Sequence, residues 1–292
     1  MDAVITYVDG LDPVWQKDYE KYTDVPPLTK RYRDWGTLKY LLRGIENCMP
    51  FITNVYLVVS HKSQIPEWAD VQNLKVVLHE DIIPSGYLPT FNSTAIEMFL
   101  HRIPGLDGRF IYFNDDMYPV GGCREEDYFR DGKIVIGFTR HVLASGLYKI
   151  QCRNSDRMAR KALGKPASLC FMRPQHICSP MLKSLCEELY DSMKPEILAS
   201  VPRLREEKNL NQYLFLDYMY HKGLAVPEKI SNRHFSVAVA SADKIASFIR
   251  KPSRSMCCIN DVRLSEDKFE AMRKAITEAF EDRFPKKSRF EK

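Results

Sequence analysis

Strand and helix patterns alternate along the first 140 residues of this 292-residue chain, and this alternation limits the possible folds more than any other feature. Apolar runs rich in β-branched and aromatic residues predict strands at 3–8, 55–60, 74–79 and 109–114. Apolar residues at helical spacing predict helices at 34–48 and 92–105. Strands separated by helices form a mostly parallel sheet with helices on both faces, so the sequence predicts an α/β fold.

The second half of the chain has a mainly helical pattern. Helices are predicted at 179–194, 207–222 and 265–284. No clean linker interrupts the chain, so residues 1–140 and 141–292 are expected to form an α/β core and a largely helical half packed onto it, in one continuous domain.

Composition argues against several classes of protein. No run of 18 or more apolar residues occurs, and the N-terminus lacks the basic region of a secretory signal. The eight cysteines show no CxxC spacing, which favours reduced thiols in a cytoplasmic protein. The net charge of +5 is mild and no nucleic-acid-binding module accompanies it, so no nucleic-acid partner is expected.

Basic residues gather around 250–254 and near the C-terminus at 286–289. Solvated surface is the simpler interpretation of such groups. A phosphate-rich substrate, or peripheral contact with an anionic membrane surface, is the more specific alternative.

Two adjacent carboxylates, Asp115 and Asp116, follow the predicted strand 109–114 directly. Neighbouring strand residues point to opposite faces, so the two side chains could simply diverge. The alternative is a cation that offsets their repulsion. Asp9 also follows a predicted strand, and ligands of parallel sheets bind at the carboxyl ends of strands, which favours a functional role for these carboxylates.

The chain lacks the glycine-rich loops of P-loop and dinucleotide-binding proteins and the serine-hydrolase elbow, and its histidines and cysteines lack zinc-ligand spacing. Carboxylates with histidine and arginine remain. Hard oxygen ligands suit Mg²⁺ or Mn²⁺, which proteins usually bind together with substrate phosphates. An acidic strand end in an α/β sheet is therefore what a nucleotide-sugar transferase would need.

Sequence blocks spread over the chain resemble those of the Stealth family, which comprises bacterial capsule sugar-1-phosphate transferases and the animal N-acetylglucosamine-1-phosphotransferase that marks lysosomal enzymes. The first two of these blocks are "DAVITYVDGLDPVW" and "RYRDWGTLKYLLRGIENCMPFI", and a later one contains "RFIYFNDDM". In order, they lie at 2–15, 31–52, 88–117, 176–189 and 258–291.

The resemblance implies a GT-A-like, Rossmann-like fold in which 1–140 binds the nucleotide sugar and 141–292 completes the active site. It also implies transfer of a hexose- or hexosamine-1-phosphate from a UDP-sugar, such as UDP-N-acetylglucosamine, to a glycan hydroxyl in capsule or surface polysaccharide synthesis. The acceptor would attack the β-phosphorus and release UMP. A conventional metal-dependent GT-A glycosyltransferase that releases UDP is the alternative enzyme, and a non-catalytic nucleotide-sugar or polysaccharide-binding protein is the alternative of another class.

Site residues are implied by the same resemblance. Catalytic roles are expected for Glu97, His101, His176 and Arg205. Substrate contacts are expected for Asp9, Gly10, Arg31, Asp34, Arg43, Asn92, Arg102 and Asn114. Ligands of Mg²⁺ or Mn²⁺ are expected among Asp115, Asp116, Asn260 and Asp261.

Within these sets, His176 is the expected general base and Arg205 the group that stabilises the transferred phosphoryl group. Simpler roles stay open: Asp34 as a helix cap, Glu97 and His101 as a structural pair four residues apart on one helical face, and Asn260–Asp261 as a turn. Two positions depart from the family pattern, because Tyr7 replaces a usual tryptophan and Asn209 a usual acidic residue.

Overall fold

The computed structural model describes residues 1–27, 32–262 and 264–292, so the expectation for Arg31 lies outside the described residues. The strands are β1 (Asp2–Thr6), β2 (Asn54–Val59), β3 (Leu74–Leu78), β4 (Arg109–Asn114), β5 (Met117–Pro119), β6 (Phe129–Arg130), β7 (Lys133–Val135), β8 (Phe138–His141), β9 (Phe171–Pro174), β10 (Ser179–Leu182), β11 (Ala225–Val226), β12 (Asn232–Ser236) and β13 (Met256–Asn260). The helices are α1 (Pro13–Glu20), α2 (Leu38–Cys48), α3 (His79–Ile82), α4 (Ser93–Glu97), α5 (Leu147–Ala162), α6 (Lys183–Ser192), α7 (Lys194–Ala199), α8 (Tyr213–His221), α9 (Ala242–Arg250) and α10 (Glu266–Arg283).

A five-stranded sheet with the order β10-β4-β1-β2-β3 confirms the predicted α/β fold. The sheet is rich in parallel strands, and β10 pairs antiparallel with β4 at its edge, with Ser179 opposite Tyr112. All five residues of β1 are buried, as are five of the six residues of β2 and the four central residues of β4. Strands that are covered on both faces carry near-continuous runs of apolar residues, and the strands were predicted from these runs.

The chain divides into two compact units. The first comprises residues 1–4, 77–112 and 125–230. In this unit α5 packs against α8 and against β9, and β9 pairs antiparallel with β8. Short strands β11, β7 and β6 form a further small sheet.

The second unit comprises residues 5–76, 113–124 and 231–292. A sheet with the order β12-β13-β5 lies in this unit, with β12 parallel and β5 antiparallel to β13. Helices α9 and α10 pack on each other, and the apolar face of α10 contributes Phe269, Met272, Ile276 and Phe280 to the core, as the helical spacing predicted.

Several element boundaries differ from the predicted ones. The helix predicted from residue 34 begins at Leu38, because Gly36 adopts φ +68° and interrupts regular helix before that point. The helix predicted at 92–105 is only α4, followed by a 3₁₀ turn at Leu100–Arg102. Residues 179–182 are strand rather than helix, since they pair with β4.

None of the helices in the described part of the chain has both the length and the hydrophobicity that a membrane span requires.

Candidate functional site

Four carboxylates of the second unit form the candidate metal and phosphate site, here called the acidic cluster: Asp9, Asp34, Asp115 and Asp116. Asp9 follows β1 by three residues, and Asp115 and Asp116 form the turn that joins β4 to β5. Because β1 and β4 are neighbours in the sheet, carboxylates that lie far apart in sequence meet beside their carboxyl ends.

Asp9 is held by the chain around it. Its backbone N–H donates to Gln64 Oε1 at 2.6 Å, and its Oδ1 accepts the N–H of Leu11 at 2.8 Å. Gly10 donates its N–H to the carbonyl of Tyr32, and a Cβ at Gly10 would lie 2.6 Å from Tyr32 atoms. Only glycine permits this close approach of two chain segments, so Gly10 positions Asp9.

Asp34 does not cap α2. Its Oδ1 accepts the N–H of Gly36 at 2.8 Å, and the Tyr7 hydroxyl donates to its carboxylate. Burial raises the pKa of Asp34, while these hydrogen bonds act in the opposite direction. Tyr7, which stands at the family's tryptophan position, therefore serves as a hydrogen-bond donor to the acidic cluster.

Negative charge is concentrated around Asp115 in the acidic cluster. Burial, then the neighbouring charges of Asp116 and Asp34, raises the pKa of the Asp115 carboxyl to about 8. Among the described residues no lysine or arginine forms a salt bridge with Asp9, Asp34 or Asp115. Asp116 is anchored separately, since its carbonyl accepts the N–H of Ile259 at 3.0 Å.

The two residues predicted to complete the metal shell lie at the end of β13. Asp261 accepts hydrogen bonds from Arg33 at 3.0 Å and from the Trp35 indole at 3.1 Å. Its charge also contributes to the raised pKa of Asp115. Asp261 therefore has a structural cation of its own, whereas Asn260 is half-buried and its carbonyl accepts the N–H of Val237 at 3.3 Å.

Arg43 lies on the buried side of α2, where it forms a structural ion-pair network. Its guanidinium donates to Glu291 at 2.8 Å, to Glu281 at 3.0 Å and to the carbonyl of Phe284 at 2.7 Å. Arg43 thus binds the C-terminal segment to α2 through charge-assisted hydrogen bonds.

The acidic cluster fits a divalent cation of the Mg²⁺ or Mn²⁺ type. Its donors are carboxylate oxygens, which such cations prefer. Burial, then the charges of Asp116 and Asp34, disfavours the ionised form of Asp115, and a bound cation would offset both effects.

His176 of the first unit belongs to a chain of hydroxyl groups. Its Nδ1 lies 3.0 Å from the Tyr213 hydroxyl, which lies 2.9 Å from the hydroxyl of Tyr148. The Tyr148 ring also meets the His176 ring edge-on, with centroids 5.9 Å apart. Tyr213 is fully buried, and its backbone N–H donates to Asn211 Oδ1 at 3.2 Å, so the orientation of the imidazole is set from inside the protein.

Glu97 and Arg205 lie together in the same unit. The Glu97 carboxylate accepts the N–H of Gln212 at 2.7 Å, and burial raises its pKa to about 7 while the charge of Arg205 acts to lower it. The Arg205 guanidinium donates to the Ser93 hydroxyl at the start of α4. A carboxyl with a pKa near neutrality beside an arginine can exchange a proton under ordinary conditions.

Asn92 and Asn209 bind each other. Asn92 caps α4 by accepting the N–H of Thr94, and its amide donates to Asn209 Oδ1 at 3.2 Å and to the carbonyl of Pro202 at 3.1 Å. Asn209 is fully buried and donates to the carbonyl of Ser200 at 2.7 Å. A charged residue at Asn209 would be costly in this environment, which gives its departure from the family pattern a physical reason.

His101 is separated from the helix that carries Glu97, because α4 ends at Glu97 itself. Its ring packs on Tyr190 at 4.9 Å and on Phe215 at 5.8 Å. Burial, together with the charges of Arg102 and Lys183, lowers the pKa of His101 to about 3. Arg102 is exposed beside Tyr190, and Asn114 is the half-buried last residue of β4.

Sequence reasoning missed the residues that orient the predicted ones. Gln64, Arg33 and Tyr213 each hold a predicted site residue through a hydrogen bond, and Tyr148 acts indirectly, because its hydroxyl is hydrogen-bonded to that of Tyr213. Only Arg33 carried a signal, since it lies two residues from Arg31 in the same block.

Residues 31–136 match the family model "Stealth protein CR2, conserved region 2". The chain is 30% identical, with 100% of it aligned to 99% of the relative, to capsular polysaccharide phosphotransferase WcwK of Streptococcus pneumoniae. It is also 30% identical, with the same coverage, to receptor polysaccharide phosphotransferase WefC of Streptococcus oralis.

Over 46% of its length the chain is 42% identical to capsular polysaccharide phosphotransferase CpsJ of Streptococcus thermophilus, of which 59% is covered. Among solved structures, mouse xyloside xylosyltransferase 1 in its apo form superposes with a TM-score of 0.42 at 15% identity, over 88% of this chain and 96% of that one.

Proposed function

The chain belongs to the Stealth family, and from that membership we propose that it is a sugar-1-phosphate transferase of capsule or surface polysaccharide synthesis. The donor is a UDP-sugar of the UDP-N-acetylglucosamine type, and the acceptor is a glycan hydroxyl. A hexose- or hexosamine-1-phosphate moves to the acceptor as a phosphodiester, and UMP leaves. The concentration of carboxylates around Asp115 is the structural observation that carries this proposal.

The acidic cluster would hold the divalent cation and the donor diphosphate. Asp115 and Asp116 would be ligands of Mg²⁺ or Mn²⁺, which when bound neutralises charge on phosphate oxygens. Asp9, held by Gln64, would contact the nucleotide sugar. Asp261 would act on this site through its charge, because its oxygens already bind Arg33 and Trp35.

His176 would act as the general base. Its Nε2 takes the proton of the acceptor hydroxyl as that oxygen bonds to the β-phosphorus, while the bond from this phosphorus to the oxygen bridging the two phosphates breaks and UMP leaves. For Nε2 to accept a proton, Nδ1 must carry the ring hydrogen and donate to Tyr213, whose hydroxyl then donates to Tyr148.

Arg205 would stabilise charge on the transferred phosphoryl group, with Ser93 fixing its guanidinium. Glu97, whose pKa lies at about 7, would when ionised partly offset the positive charge of this arginine, which itself stays protonated. His101, buried with a pKa of about 3, is the weaker candidate for the base.

A cytoplasmic location, at the inner face of the membrane, is part of the same proposal. All eight cysteines are free thiols, which suits a reducing compartment. Partners are then the UDP-sugar and a growing glycan.

Product analysis tests this function. The purified chain is incubated with Mg²⁺ or Mn²⁺, a panel of UDP-sugars and candidate glycan acceptors, and the released nucleotide is identified. Acceptor-dependent UMP is the expected result. Acceptor-dependent UDP would instead mean attack at the anomeric carbon, and the chain would be a conventional glycosyltransferase.

The metal assignment has its own test in the same assay. Asp116→Ala should abolish turnover that depends on Mg²⁺, whereas the exposed control Asp243→Ala should retain it. Intact turnover in Asp116→Ala would refute the assignment.

A further inference from the structure

The first unit leaves four large apolar side chains exposed, and all four lie in one region of it. Val142, Leu143 and Leu169 are 62%, 81% and 88% exposed, and Tyr148 is 38% exposed. Exposed apolar residues scattered singly need no explanation, but a group in one place marks an interaction surface.

The register of β8 and β9 explains why these residues lie together. The last pair of this antiparallel ladder is His141 opposite Phe171. Leu143 follows His141 by two residues and Leu169 precedes Phe171 by two, so each leucine Cα lies within about 7 Å of the end of the ladder. Val142, Leu143 and Leu169 are here called the apolar tip.

The segment of the chain that contains the apolar tip is strongly basic. From 132 to 186 the chain has ten lysines and arginines and a single acidic residue, Asp156. That aspartate is buried and bonded to Arg160 and His221. The whole chain has 43 basic and 38 acidic residues, so this segment carries a net charge of +9 and the remainder of the chain −4.

Part of this charge lies directly at the apolar tip. Arg140 is exposed on β8, and Lys149 lies in the first turn of α5, which begins four residues after Leu143. Arg173 and Lys149 both lie close enough to His141 for their charges to help lower its pKa. An anionic bilayer surface binds exposed leucines that are flanked by cations. The leucines insert among the acyl chains, and the lipid phosphates attract the cations.

We propose that the apolar tip, with Arg140, Lys149 and Arg173 around it, docks this protein on the surface of a bilayer that contains anionic phospholipid. A soluble anion would use the cations but would gain nothing from the exposed leucines. The combination of both therefore favours a lipid surface over a free phosphate or a polyanion.

Docking at this place has a consequence for the acceptor. Tyr148, exposed beside the apolar tip, is bonded through Tyr213 to His176. If His176 is the base, a conclusion that rests on the proposed function, an acceptor carried on a membrane lipid would reach it from this side. The docking itself does not depend on that function.

Vesicle sedimentation tests the proposal without any enzymatic assay. The full chain is mixed with sucrose-loaded vesicles of equal parts phosphatidylglycerol and phosphatidylcholine, or of phosphatidylcholine alone. We expect binding to the mixed vesicles, weakened by added salt. Leu143→Asp with Leu169→Asp should reduce the partition coefficient about a hundredfold, because each leucine withdrawn from the bilayer costs about tenfold.

Matched controls separate this surface from others. Val239→Asp, at a side chain 87% exposed in the second unit, should bind as the unaltered chain does. Arg140→Gln with Lys149→Gln should lose binding several-fold for each charge, whereas Lys251→Gln with Lys287→Gln, from the other basic groups, should not. Circular dichroism melts should confirm that all variants fold.

Three outcomes would overturn the proposal. One is absence of binding to the mixed vesicles. A second is equal loss in the apolar-tip variant and in Val239→Asp. The third is a dimer, seen by light scattering, that the leucine substitutions disperse, because the apolar tip would then be an interface between copies of this chain.

Discussion

Glu97→Gln should make the stability of the protein less sensitive to pH. Glu97 is buried, and its pKa is raised from 4.5 to about 7 chiefly by burial, with Arg205 and the Gln212 N–H acting in the opposite direction. Glutamine has nearly the same shape but cannot ionise. The substitution therefore isolates the cost of the buried charge.

The sign and size of the effect follow from the two pKa values. Between pH 4.5 and about 7 the folded protein keeps a proton on Glu97 that the unfolded chain has lost, so the free energy of unfolding falls as pH rises through this window. The pKa values differ by about 2.5, which at about 1.36 kcal/mol per pH unit corresponds to about 3 kcal/mol. Below pH 4.5 and above pH 7 this contribution is constant.

Urea unfolding followed by tryptophan fluorescence at pH 4.5, 6, 7 and 8 provides the measurement. The free energy of unfolding of the unaltered chain, minus that of Glu97→Gln, should fall by about 3 kcal/mol from the lowest to the highest pH. Glu196→Gln is the control, because Lys161 lowers the pKa of that glutamate and its difference should not fall with pH. A difference for Glu97 that stays constant would refute the argument from burial.

Further predictions concern three other sites. Near pH 8 and without divalent metal, Asp115→Asn should melt at a higher temperature than the unaltered chain, because the substitution removes a charge that lies close to other carboxylates. Mn²⁺ should raise the melting temperature of the unaltered chain only, and an equal rise in both proteins would contradict a role of Asp115 in metal binding. Tyr213→Phe should lower kcat about fivefold, the equivalent of one hydrogen bond of about 1 kcal/mol to His176, with KM for the donor nearly unchanged; an unaltered kcat would exclude this role. Arg43→Met should lower the free energy of unfolding, measured with urea, by about 3–5 kcal/mol, because Glu291 is left buried without its partner. Adding Glu291→Gln to Arg43→Met should recover part of this loss, and no recovery would count against the pair.

Prediction succeeded where the signal is local. The buried strands β1, β2 and β4 were visible as apolar runs, and α10 was visible from the spacing of Phe269 and its partners. Burial on both faces of a sheet, or on one face of a helix, leaves a pattern in consecutive residues. That pattern can be read without knowledge of the partners.

Prediction failed where the backbone departs from a regular helix. Glu97 and His101 were expected to share a helical face, but α4 ends at Glu97 and His101 turns into an aromatic environment. Asp34 resembled a helix cap, yet the positive φ of Gly36 delays α2 to Leu38 and leaves Asp34 to interact with Tyr7. Such breaks depend on how the segment packs, which the spacing of residues does not record.

By itself, then, the sequence determined the α/β architecture, the Stealth membership and the acidic strand end at Asp115 and Asp116. Only the tertiary structure decided what each polar residue binds. Arg33 meets Asp261 across 228 positions, and Tyr213 meets His176 across 37. A polar side chain takes its function from the charges and hydrogen-bond partners around it, and the folded chain brings these from distant segments that leave no periodic trace in the sequence.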